Sequence, residues 1–121
     1  MRKNPIKDKS FDFALEIVML SRKLADEKRE YTLSKQLLRS GTAIGALIRE
    51  AEHAQSKPDF IHKLSISLKE ANETEYWIEL LHKSDYLQED TFTNLRFKIG
   101  ELNRLLIAII KSSKQNLVSR N

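Results

Sequence analysis

Two stretches of this chain hold the residue types of a metal site. Glu50-Ala51-Glu52-His53 and Glu79-Leu80-Leu81-His82 each place a glutamate three residues before a histidine, which on a helix turns both side chains to one face. Glu16 and Glu101 supply two further carboxylates. Carboxylate-bridged sites in four-helix bundles use two such motifs and two more glutamates, a ligand set that suits iron or manganese. Other chemistry has less to work with. His62 stands apart from any nucleophile, and Gly41 and Gly45 lie inside a helical pattern rather than in a phosphate-cradling loop between strand and helix. The chain has no cysteine, which excludes disulfides and thiolate ligands and fits a reducing compartment.

Whether the two motifs can meet depends on the elements that carry them. Ser10 is the candidate N-cap of a first helix over about 10–27, behind a basic arm, 1–9, with Arg2, Lys3, Lys7 and Lys9. Phe13, Ile17, Leu20 and Leu24 recur at spacings of four and three, an apolar stripe at helical period. The charged run Asp26-Glu27-Lys28-Arg29-Glu30 reads as the turn. A second helix spans about 32–55, with Leu33, Leu37, Ile44, Leu47, Ile48 and Ala51 inward. Ser56 and Asp59 form a capping box around Pro58, opening a third helix over about 57–83 with Phe60, Leu64, Leu68, Ala71, Ile78 and Leu81 inward. A fourth, over about 89–115, keeps a strict heptad through Phe92, Leu95, Ile99, Leu102, Leu106 and Ile109. Short connections make neighbours antiparallel, so the expected fold is all-α, an up-down-up-down four-helix bundle in one domain over 1–121.

That order separates the metal motifs. Both sit near the C-terminal ends of consecutive antiparallel helices, so roughly 30 Å of helix lies between their levels. Bonds of about 2 Å to a metal cannot span it within one subunit, and a site shared between subunits would need an unusual assembly. The reading is a protein with no metal, no cofactor and no catalysis.

At 121 residues the chain is long enough for an ordinary core. Asp12 and Glu16 interrupt the apolar stretch behind the basic start, unlike a signal peptide. The longest apolar run, Leu105 to Ile110, falls far short of the ~20 residues that span a bilayer. A soluble, cytoplasmic protein with no membrane partner is expected. Its net charge of +4, from 21 basic and 17 acidic residues, is a mild excess that permits weak attraction to polyanions.

Three features of the middle helices call for more than a lone bundle. Gly41 and Gly45, beside Ser40 and Ala46, each cost about 1 kcal/mol of helix propensity relative to alanine, which a close helix–helix approach would offset. Ile66, Glu70, Glu73, Trp77 and Leu80 form a second aligned stripe on the third helix. A bundle needs one apolar stripe per helix, so the second is a candidate oligomer interface with Trp77 as its anchor. Counting outward from the Ser56 turn puts Arg39 level with Glu73, a candidate structural ion pair, with Glu70 as the alternative acceptor.

The stretches Gln36-Leu37-Leu38-Arg39-Ser40-Gly41-Thr42-Ala43-Ile44-Gly45-Ala46, Glu50-Ala51, Ser56-Lys57-Pro58-Asp59-Phe60 and Leu68-Lys69-Glu70-Ala71-Asn72-Glu73-Thr74-Glu75-Tyr76-Trp77 resemble the four-helix-bundle proteins encoded within intervening sequences of bacterial 23S ribosomal RNA genes. That family is also labelled S23 ribosomal protein. The chain is similar, too, to the accessory variability protein of diversity-generating retroelements. The likeness covers about residues 10–115 and departs from the pattern at Ala43 and Leu47, where many members carry Ser and Asn. It implies a homopentamer with a basic surface that contacts nucleic acid or a reverse transcriptase, and it implies no catalysis.

Two functions therefore stand as expectations. One is an oligomer binding RNA or DNA through Arg22, Lys23, Lys28, Arg29 and Lys35, with the basic N-terminal arm, its charge multiplied to about +20 in a pentamer. The other is a protein–protein scaffold in which the basic surplus plays no part.

Overall fold

The first helix starts earlier than Ser10. In the structure, a computed structural model describing residues 4–119, α1 runs Pro5–Lys28. Asn4 is its N-cap, with the side-chain oxygen accepting from the Lys7 N–H at 3.3 Å, and Pro5 occupies a first-turn position where no N–H is missed. Ser10 lies inside the helix, buried, its hydroxyl donating to the Lys7 carbonyl at 3.0 Å. The expected basic arm is thus largely helical; Arg2 and Lys3 lie outside the described residues.

The α1–α2 turn is shorter than the charged run. Asp26, Glu27 and Lys28 are still helical, and Arg29 ends the helix in the left-handed region at φ 56°. Glu30 then caps α2, Thr32–Glu52, its carboxylate accepting from the N–H groups of Leu33 at 2.6 Å and Ser34 at 2.9 Å. At the next turn the Asp59 N–H donates to Ser56 Oγ at 3.2 Å. The reciprocal bond reaches one residue further back, from the Gln55 N–H to the Asp59 carboxylate at 3.2 Å. These caps open α3, Lys57–Lys83. After Asp85, at φ 68°, α4 runs Glu89–Ser119 with Glu89 and Asp90 at its positive end.

The chain makes an antiparallel up-down-up-down four-helix bundle, α1 packing on α2, α2 on α3 and α3 on α4, with α1 and α4 meeting more lightly. Phe13, Ile17, Leu24, Leu37, Ile44, Ile78, Leu81, Leu95, Ile99, Leu102 and Leu106 are fully buried. Leu20, Leu33, Phe60 and Leu68 pack at the margin instead. Late in α4 the buried positions are Ile110 and Ser113, and Ile109 is half-buried. A straight helix of 3.6 residues per turn drifts about 20° per heptad, which moves the inward position on by one residue.

Close approach explains the mid-helix glycines of α2. A Cβ on Gly41 would stand 2.9 Å from Ile17 Cγ2, and one on Gly45 would stand 3.2 Å from Ser10 Oγ. The surrounding buried hydroxyls tie the helices together. Ser21 donates to the Ser34 carbonyl at 3.2 Å, Ser67 to the Ile44 carbonyl at 2.9 Å, and Ser40 shares a hydroxyl–hydroxyl bond of 2.9 Å with Thr74.

Candidate functional site

Most residues of the metal-like constellation are engaged singly elsewhere. Glu50 takes a bond from Lys63 at 3.1 Å, while His53 is the exposed C-cap of α2. Glu16 holds Lys98 at 2.6 Å and Asn94 at 3.0 Å, and Glu101 holds Lys9 at 2.7 Å. Both pairs bridge α1 to α4. His82 lies 2.6 Å from Glu89 through Nε2 and stacks on Phe92 with ring centroids 3.7 Å apart. Among the described residues no three such side chains gather closely enough to share a metal ion.

Polar organisation is densest between α2 and α3. The guanidinium of Arg39 donates to Glu70 at 3.1 Å and, by its other terminal nitrogen, to Glu73. Glu73 also accepts from the indole N–H of Trp77 at 2.9 Å. That indole bond is the first cause, and Arg39 a further one, holding the Glu73 carboxyl below the usual carboxylate range. The bond to Glu73 in turn raises Arg39. Tyr76 meets Trp77 edge-on at 5.0 Å.

All five residues of the stripe read on α3 are half-buried within the subunit: Ile66, Glu70, Glu73, Trp77 and Leu80. Arg39, reaching across from α2, covers its acidic middle. The most exposed large apolar side chains lie elsewhere. Phe11, Leu15 and Met19 are 48%, 50% and 68% exposed on α1, and Phe97 and Ile107 are 66% and 52% exposed on α4. The α1 line was present in the sequence as three large apolar residues four apart, off the Phe13–Ile17–Leu24 core stripe.

The basic residues expected to meet nucleic acid are spread over one end of the bundle. Arg22 and Lys23 project from α1 beside a shallow recess shared with Met19, Asp26, Glu27 and Thr91. Lys28 borders another with Glu27, Asp85 and Tyr86. Arg29 sits at the turn, and Lys35 is exposed on α2. None of the five forms an ion pair among the described residues, but Asp26, Glu27 and Asp85 stand among them.

The chain is a small all-α bundle of four helices. No helix among the described residues is long and apolar enough to cross a membrane. The pattern of the 23S rRNA-intervening sequence protein family matches residues 2–108, and the chain belongs to that family. It is similar, at 56% identity and a TM-score of 0.87, to a crystal structure of a protein of unknown function from the S23 ribosomal protein family of Bacteroides thetaiotaomicron. The match covers 88% of this chain and 98% of that one. A comparison with curated proteins finds no match.

Proposed function

We propose that the protein is a non-catalytic homo-oligomer, cytoplasmic, that binds RNA or DNA through its basic surface. The observation that carries the reading is the set of exposed, unpaired cations Arg22, Lys23, Lys28, Arg29 and Lys35 on a chain of net charge +4. Each phosphate contact on such a surface is weak and releases counterions. Repetition on one particle converts weak contacts into useful affinity.

The subunit number comes from the family likeness, which implies a pentamer. A five-membered ring closes head to tail, and a head-to-tail contact takes two different patches on each subunit. The Ile66–Glu70–Glu73–Trp77–Leu80 stripe serves as one, and the exposed Phe11–Leu15–Met19 line on α1 suits the other. In this arrangement Arg39 and Glu73 act as a structural ion pair behind the first patch. The test is light scattering on the purified protein, followed by binding to labelled RNA and DNA across a salt series. An oligomer whose affinity falls steeply with salt is expected, and a single subunit with no affinity for either would overturn the reading. Recovery of a partner protein, such as a reverse transcriptase, from nuclease-treated material would favour the scaffold reading instead.

A further inference from the structure

We infer that the outer face of α3 and α4 is a binding surface for single-stranded nucleic acid, its bases stacking on Tyr76 and Phe97 and its phosphates meeting the lysines and arginines around them. This rests on the nucleic-acid reading but assigns the contact to a different face from the α1–α2 end.

The two helices present matching columns. On α3, His62, Lys69, Tyr76 and Lys83 follow one another at seven-residue spacing, and on α4 so do Asp90, Phe97, Arg104 and Lys111; all eight are exposed. Seven residues return a helix to nearly the same face about 10 Å further on. Register comes from contacts at the α3–α4 turn. His82 stacks on Phe92, and Arg96 shares a recess with Glu79, His82 and Lys83. Counting outward from the stack, Tyr76 comes level with Phe97, Lys69 with Arg104 and His62 with Lys111, each to within a residue. The face is therefore an aromatic rung with cationic rungs beyond it, away from the turn, and with Lys83 level with Asp90 towards the turn.

Its charge sets it apart from the rest of the molecule. Lys69, Lys83, Arg96, Arg104, Lys111 and Lys114 are exposed there, and Glu79, Glu89 and Asp90 are exposed carboxylates among them. That surplus makes up most of the net +4 of the whole chain. None of the six cations forms an ion pair among the described residues. Arg96 lies over the Phe92 ring at 5.8 Å.

The rings select the class of partner. Tyr76 is 58% and Phe97 66% exposed, a cost in water that a cationic patch for a duplex backbone does not require. Bases freed from pairing offer flat apolar faces to such rings, and this stacking tolerates any sequence. A duplex keeps its bases stacked inside and meets such a surface through phosphates alone. An acidic protein segment would satisfy the cations and leave the rings without a planar partner.

The test uses the intact protein with three probes: a labelled oligo(U), an RNA duplex of the same length, and heparin as a polyanion without bases. Oligo(U) is expected to bind more tightly than the duplex. Tyr76→Ala with Phe97→Ala should weaken oligo(U) by about tenfold or more and leave heparin unchanged. Because Tyr76 touches Trp77, Phe97→Leu alone serves as the milder variant, with the same direction expected. Arg104→Gln with Lys111→Gln should weaken both probes and flatten the salt dependence by about two phosphate contacts. If these variants bind as the unaltered protein does, while Arg22→Gln with Lys23→Gln abolishes binding, the α3–α4 assignment falls and the nucleic-acid reading stands. Equal loss of heparin and oligo(U) in the aromatic variants, or preference for the duplex, would overturn single-strand stacking. No binding of any probe by the unaltered protein would overturn both.

Discussion

Glu73 accepts from the indole of its own helix and from the guanidinium of the next, so its charge state links Trp77 to Arg39. Its folded pKa lies below the ordinary glutamate value, which is about 4.3. A depressed carboxyl contributes stability that is fully present above the ordinary value and is lost as pH falls through the folded one. Arg39 and Glu73 keep 49% and 37% of their side-chain surface in water, so screening limits the ion pair to about 1 kcal/mol at most. Glu73→Gln should therefore lower unfolding stability by up to about 1 kcal/mol near neutral pH. Urea melts of both proteins should converge in acid, below the usual carboxylate range. A gap of constant size across that range would place the effect in side-chain shape rather than charge. The level of Arg39 against Glu73 is countable in the sequence because the Ser56 turn is short and capped. The Glu30 carboxylate that caps α2 is not, since its bonds run to Leu33 and Ser34 from outside the usual capping positions and the flanking residues read as a solvated charged run.

The glycines make the same point about elements. Gly41 and Gly100 both fall inside apolar patterns of period 3.6, and nothing local distinguishes them; the neighbouring helix does. A Cβ at Gly41 would meet Ile17 Cγ2 at 2.9 Å, and Ile17 is fully buried. A Cβ at Gly100 would meet only a guanidinium nitrogen of Arg104, at 3.4 Å. Overpacking costs about 1–3 kcal/mol against the gain of about 1 kcal/mol in helix propensity. Gly41→Ala should therefore lose up to about 2 kcal/mol. Gly100→Ala should gain about 1 kcal/mol and raise the melting temperature by roughly 3–5 °C. Thermal melts of the two variants check both signs together. Helix order and most of the core were legible because period and turn chemistry agree along the chain. The start of α1 was not. Ser10 has the chemistry of an N-cap, yet it faces Gly45 on α2, and the cap falls to Asn4 ahead of Pro5.

At the scale of the whole molecule, the chain's cations can be counted from the sequence, but their grouping depends on how helices are set side by side. Arg22, Lys23 and Lys28 look dense in the chain and come to lie among Asp26, Glu27 and Asp85. Lys69 and Arg104 are distant in sequence and come level across α3 and α4. Assembly would repeat whichever face binds, so affinity should depend on residues that touch no nucleic acid at all. Leu15→Glu with Met19→Glu tests this. Both side chains are at least half exposed, so the subunit should fold with its melting temperature nearly unchanged. Two carboxylates on the α1 line would meet the acidic stripe of a neighbouring subunit, where Glu70 and Glu73 already lie, and like charges brought together there oppose closure of a ring. Light scattering should report single subunits, and oligo(U) affinity should fall by about 100-fold or more through loss of avidity, with no cation removed. The added negative charge alone weakens binding far less and does so equally at any protein concentration. If the variant stays assembled, the α1 line is not a contact between copies. If it separates and still binds as before, one subunit carries the whole site and repetition contributes nothing.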